Sequence, residues 1–185
     1  MAPDAAPYTA RPVPQPRLTL AMPPTRIELL QSMPLFGAVR EDTLHFLLMQ
    51  VHTLELPASG CFFRENDAAS SMFVLETGRA IVAKHWQERE LLLHRLGPGD
   101  CFGEMSLMDL GPRSATVRAE TPCRAIEIST EHLLRLFERD AEQFALIQMN
   151  IGREVCRRLR ATDDWLLRAT LGSVRPALAT LVLAA

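Results

Sequence analysis

The sequence predicts a mainly β protein with flanking helices: a β jelly roll, a double-stranded β-helix barrel, followed by one long C-terminal helix. Three observations carry that prediction. Between about Thr53 and Glu127, short apolar runs recur roughly every 8–12 residues with turn signals between them, and no helical pattern of the kind a βαβ unit needs. Six of the nine glycines lie between Gly60 and Gly111, where tight turns call for them. Past Asp140 the period changes, and apolar residues recur at steps of three and four.

The elements follow in chain order. Residues 1–24 hold seven of the 13 prolines and few core-forming side chains, which predicts a disordered or polyproline-like tail. Thr25 is placed to cap a short helix that starts at Ile27, Leu29 and Leu30 and stops near Pro34. A second helix is expected over about 40–50, with Leu44, Leu47, Leu48 and Val51 on one face. Strands are expected at 61–63, 72–75, 80–82, 90–93, 114–117 and 124–128. Turns at Pro57–Gly60, Glu65–Asp67, Glu76–Gly78 and Leu96–Asp100 separate the earlier ones. Ser129 or Thr130 can cap a helix through Leu136, and a long helix follows with Phe144, Ile147, Ile151, Val155, Leu159, Thr162 and Leu166 in one stripe. Such a narrow stripe fits either self-association through a partner helix or packing onto the chain's own barrel. The expected division is a tail (1–24), a folded domain (25–138), a dimerisation helix (139–170) and a hinge-like end (171–185), with a last helix over 177–183.

Composition limits what the chain does. Its 185 residues less the tail suit one domain, which needs no metal or disulfide to hold a core. Lys and Arg total 20 against 22 Asp and Glu, a net charge of −2, which argues against a nucleic-acid groove or an anionic membrane surface. No apolar run reaches the roughly 18–20 residues of a membrane span, and Leu18–Met22 is too short for a signal peptide, so a soluble cytoplasmic protein is expected. The four cysteines, 61, 101, 123 and 156, form no CxxC pair and read as buried reduced thiols rather than metal ligands. The five histidines include no HxH pair, which speaks against a metal-dependent enzyme on a jelly roll, and no nucleophile motif is present.

One stretch concentrates the chemistry: Phe102-Gly103-Glu104-Met105-Ser106-Leu107, a variable turn, then Arg113-Ser114-Ala115-Thr116-Val117. Gly103 lets a ligand approach the backbone. N–H groups near Ser106-Leu107, at the start of a short helix, favour an anion. Arg113 offers a permanent, planar donor fork for phosphate oxygens. Glu104 cannot bind phosphate, so it should accept hydrogen bonds from a sugar hydroxyl and from Arg113. Without a Walker-type lysine, a Mg-nucleoside triphosphate is not expected; one arginine suits a single negative charge.

This stretch resembles the phosphate-binding cassette of the cyclic-nucleotide-binding domain family. The lead-in Leu96-Gly97-Pro98-Gly99-Asp100-Cys101-Phe102 and the strand–turn Ser71–Gly78 resemble that family too. The resemblance spans roughly residues 26 to 170 and implies a cyclic nucleotide, cAMP or cGMP, as ligand, with no metal. It implies that Glu104 bonds the ribose 2′-hydroxyl and that Arg113 pairs with the cyclic phosphate. Ser114 and the backbones of Gly103 and Ala115 would complete the phosphate shell, with Met105 and Ser106 beside them. Arg157-Arg158-Leu159-Arg160-Ala161-Thr162 is similar to the dimer-helix stretch of the Crp/Fnr-like branch, which implies that Thr162 touches the adenine amino group. That contact favours cAMP over cGMP as ligand; Thr162 as a plain polar seam residue stays open, as does a dinucleotide or no ligand. Asp163 stands where that branch often has Ser. The chain ends at Ala185, where a relative would begin its winged helix-turn-helix, so direct DNA binding is not expected. The reading is a stand-alone sensor, homodimeric through its last helix, passing its signal to a downstream protein.

Overall fold

The structure is a computed structural model and describes residues 25–87 and 89–173. The expected tail over 1–24 and the expected helix over 177–183 lie outside the described residues. Three short helical segments open the fold: α1 (Arg26–Ser32), a 3-10 turn (Pro34–Phe36) and α2 (Glu41–Leu48). Eight strands follow: β1 (His52–Leu56), β2 (Cys61–Phe63), β3 (Ser71–Thr77), β4 (Ala80–Trp86), β5 (Arg89–Leu96), β6 (Cys101–Phe102), then, after helix α3 (Met105–Asp109), β7 (Thr116–Ala119) and β8 (Cys123–Ser129). Helices α4 (Thr130–Arg139) and α5 (Ala141–Ser173) close it. The strands form two antiparallel sheets, ordered β1-β8-β3-β6 and β2-β7-β4-β5, the mainly β architecture with a long final helix that the sequence predicts.

Strand alternation builds two cores at once. On β3, Met72 and Val74 face the helices, while Phe73 and Leu75 face the space between the sheets. On β8, Ile126 and Ile128 join the helical side, and Cys123 and Ala125 the barrel interior. The sheet carrying β3 and β8 is therefore buried on both faces. Leu30, Leu35, Leu44, Leu47, Leu136, Ile147 and Ile151 complete the helical core. Thr25 caps α1 as expected: its Oγ1 accepts from Glu28 N–H at 3.2 Å, and Glu28 Oε2 accepts from Thr25 N–H at 2.7 Å.

Four sequence expectations need correction. Strands β1 and β6 were not expected; β1 pairs along β8, and β6 is two residues long. Cys101 and Cys123 are buried, but Cys61 is half-buried and Cys156 exposed, all of them free thiols. Residues 171–173, read as a hinge, continue α5. The apolar stripe of α5 is also not one seam. Phe144, Ile147, Ile151 and Val155 pack against α5's own fold. From Cys156 to Leu171 every residue is exposed except the half-buried Arg158. Packing onto the chain's own fold therefore describes the first half of the stripe, and the second half is exposed. Among the described residues, no helix is long and apolar enough to cross a membrane, and no group of His, Cys, Asp and Glu is placed to hold a metal ion.

Candidate ligand-binding site

The site starts from two buried charges that the local fold holds apart. Arg113 is 4% exposed. Its main chain is pinned to the turn before β3, donating to Asp67 O and accepting from Asn66 N–H, both at 2.9 Å. Its guanidinium lies 4.1 Å from the centre of the Phe63 ring, which covers one face. Nη1 donates to Gly103 O at 3.0 Å and Nη2 to Ser71 Oγ at 3.3 Å, while Nε is buried with no partner. Among the described residues no carboxylate forms an ion pair with Arg113. Burial pulls its pKa below the usual arginine value, with Glu127, Asp67 and Glu104 opposing from a distance.

Gly103 is required here. Its φ is +79°, and a Cβ would lie 2.6 Å from Arg113 Nη1. A side chain would push the arginine out of place.

Glu104 is 2% exposed at the start of α3, and its partner corrects the sequence expectation. It pairs not with Arg113 but with Arg158 of α5, whose Nη1 donates to Oε1 at 2.8 Å. Arg158 Nη2 also donates to Cys101 O at 2.8 Å, and Nε to Glu154 at 3.2 Å. Burial alone would lower the pKa of Arg158, but Glu104, Cys101 and Glu154 outweigh it and raise the value. Cys101, beneath this pair, is pushed up to about 12, chiefly by burial, and is inert as a nucleophile. The expected anion site lies near Ser106-Leu107, where two donors have protein partners. The Leu107 N–H already donates to Glu104 O at 3.1 Å, and Ser106 Oγ to Pro112 O at 3.3 Å.

Around these charges lies a half-open cavity of about 630 Å³. All eight sequence-predicted residues line it: Gly103, Glu104, Met105, Ser106, Arg113, Ser114, Ala115 and Thr162. Thr162 Oγ1 donates to Arg158 O at 2.9 Å. The arrangement can neutralise an anion at Arg113, accept a hydroxyl at Glu104, and cover an apolar group farther along α5.

Residues 53–140 match the family model of the cyclic nucleotide-binding domain. The chain carries such a domain. The CRP-like cAMP-activated global transcriptional regulator of Mycobacterium tuberculosis is 28% identical over 138 residues, 74% of this chain and 60% of that protein. The crystal structure of Thermus thermophilus catabolite activator protein matches with a TM-score of 0.65 at 28% identity, covering 74% of this chain and 63% of that one. The regulatory domain of Toxoplasma gondii PKA, solved with cAMP, matches with a TM-score of 0.57 at 26% identity, covering 60% of this chain and 42% of that one. The chain spans 58–60% of the length of the curated CRP relatives named first.

Sequence reasoning about this cyclic nucleotide-binding domain missed the rest of the lining, Arg158 and Trp165 of α5 among it. Arg158 stood inside a recognised stretch, but nothing local marks which of several arginines turns inward. Trp165 had a usable signal: it follows Thr162 by three and Arg158 by seven, and so shares their helix face.

Proposed function

We propose that this chain is a cyclic-nucleotide sensor, with cAMP its preferred ligand, which signals by repositioning α5. One observation carries the reading: Arg113 is a buried cation with no carboxylate partner among the described residues, lining a cavity that also holds Glu104. A buried unpaired charge is costly, and a ligand phosphate is the counter-ion that this site lacks. Glu104 Oε1 is held by Arg158, which leaves Oε2 to accept the ribose 2′-hydroxyl. Ser114 and the backbones of Gly103 and Ala115 complete the phosphate shell, with Met105 and Ser106 beside it.

Thr162 supports cAMP over cGMP. Its proton is committed to Arg158 O, so the hydroxyl presents lone pairs, which suit the adenine amino group and oppose guanine O6. The mechanism follows from Arg158, which ties the ribose acceptor to α5. Filling the cavity fixes the outward half of that helix and shifts its populated positions. Apart from Arg158 the residues of that half are exposed, which supports a homodimer through α5 and a downstream protein partner, and the matched relatives support a regulator rather than an enzyme. Calorimetry tests the reading. Binding of cAMP with about tenfold preference over cGMP supports it, and tighter cGMP binding reverses the base assignment.

A second reading takes the matched relatives as guide: the chain acts in a Crp/Fnr-type transcriptional regulator whose DNA contact comes from a partner. A salt-dependent gel shift with the intact protein separates the two.

A further inference from the structure

We infer that Phe63 is a positioning residue for the anion-binding group: a β-bulge in β2 turns its ring onto Arg113, where it takes the place of a carboxylate. This rests on the cyclic-nucleotide reading above and says what holds its phosphate-binding side chain ready.

The bulge is read from the pairing of β2 with β7. Cys61 pairs with Arg118, but Phe63 pairs with Val117, the adjacent residue, so Phe62 is extra and unpaired. A regular strand sends consecutive side chains to opposite faces. Here Phe62 and Phe63 both pack into the barrel interior. Phe62 meets Phe102 edge-on with ring centroids 4.9 Å apart, and lies 5.6 Å from Phe73. Phe63 lines the cavity instead, and the Arg113 guanidinium sits 4.1 Å from its ring centre, against 5.8 Å for Phe73. The half-buried Cys61 thiol donates to Phe63 O at 3.2 Å, with Val117 O a second acceptor at 3.5 Å, which ties the bulge to β7.

The ring matters because nearby acids are committed elsewhere. Asp67 Oδ2 accepts from Arg64 N–H at 2.7 Å, and Glu104 Oε1 from Arg158 at 2.8 Å. Among the described residues, the hydrogen-bond partners of the guanidinium are the neutral Gly103 O and Ser71 Oγ. A buried cation is costly unless something offsets it, and an aromatic face does so without neutralising it. The charge therefore stays available to a ligand phosphate. Without the ring, the arrangement that meets the ligand becomes one of several, and apparent affinity falls by its populated fraction.

The test titrates the full chain and its variants with cAMP by calorimetry. Phe63→Leu, apolar but without a ring, should weaken binding roughly 5- to 30-fold, the size of a buried cation–π contact. Phe63→Tyr keeps the ring and should stay within about threefold of wild type. Phe62→Leu removes the other ring of the bulge; it should lower the thermal midpoint and leave cAMP affinity within about twofold. A ligand-free readout stands beside these: Phe63→Leu should lower the midpoint less in an Arg113→Met background than in the wild type. Unchanged affinity in Phe63→Leu, equal losses in Phe63→Leu and Phe63→Tyr, or no coupling to Arg113 overturns the positioning role. In each of those cases wild-type binding of cAMP leaves the sensor reading standing; if the wild type binds no cyclic nucleotide, both fall.

Discussion

The cavity's two polar walls each carry one inward arginine, and the two are held in opposite ways. On the cassette wall Arg113 is almost wholly buried, boxed by Phe63, Gly103 and Ser71, and pairs with no acid among the described residues. On the α5 wall Arg158 is partly open to solvent and holds a salt bridge to Glu104. The first is an incomplete electrostatic arrangement kept rigid by packing; the second is complete without a ligand. Binding groups are set up at the expense of stability, while coupling groups contribute to it.

The largest test of that contrast replaces Arg113 by Met. Losing a charge-assisted hydrogen-bond donor to the phosphate removes about 1.5–3 kcal/mol, so cAMP affinity in calorimetry should fall roughly 10- to 150-fold. The ligand-free protein should not suffer, because a buried unpaired cation gives way to an apolar side chain of similar length. The expected result is a thermal midpoint unchanged or raised. A lower midpoint would show that Arg113 supports the fold as Arg158 does.

Arg158→Met should behave in the reverse sense. It leaves the Glu104 carboxylate buried and unpartnered, a cost of several kcal/mol for a fully buried pair. Arg158 reaches solvent, so water takes part of that role and the expected loss is nearer 1–3 kcal/mol. Urea denaturation reads it directly. Adding Glu104→Gln should restore part of the loss, and a double-mutant cycle with no coupling would dissolve the proposed link between ribose and helix.

How much of this was legible depended on sequence separation. The cassette could be read because Gly103, Glu104, Arg113, Ser114 and Ala115 lie within one short stretch, so motif and site coincide. The Glu104–Arg158 pair spans 54 residues, and charge alone does not say which of Arg157, Arg158 and Arg160 turns inward. Strand β1 did carry a period-two signal in Leu54 and Leu56, whereas β6 is too short to have a period. Along α5, periodicity showed an apolar stripe but not what covers it: the barrel-side helices cover Ile147 and Ile151, and nothing among the described residues covers Leu159 or Leu166.

A smaller effect tests whether the cassette wall is strained beyond its charge. Leu110 ends α3 in the left-handed conformation, with φ +56°, and its side chain is 85% exposed. Left-handed backbone costs a non-glycine residue about 1–2 kcal/mol, and no buried surface is given up on removing this side chain. Leu110→Gly should therefore stabilise the ligand-free protein by about 1 kcal/mol, less glycine's larger unfolded-state entropy. Destabilisation would mean that the Leu110 side chain makes a contact worth more than the strain.

The smallest effect concerns the root of the α5 wall, where α4 begins. Buried His132 accepts a hydrogen bond at Nδ1 from Ser129 N–H at 3.1 Å, while its backbone N–H donates to Ser129 Oγ at 3.3 Å. Burial, then the neighbouring His52 ring and Arg135, lower its pKa below that of an ordinary histidine. A proton on Nδ1 would convert that acceptor into a donor facing another donor. With the folded value depressed, the unfolded chain takes up the proton first. The stability His132 contributes is therefore present above about pH 6.5 and is lost as pH falls through the folded value. Gln at this position keeps the reciprocal cap and cannot titrate. Between pH 7.5 and pH 5.5, the thermal midpoint of the wild-type protein should drop more than that of His132→Gln. Equal drops would place the acid sensitivity elsewhere, and hydrogen exchange would locate it: amides of α4 should open with acid in the wild type, whereas those of the exposed half of α5 should exchange freely at both pH values.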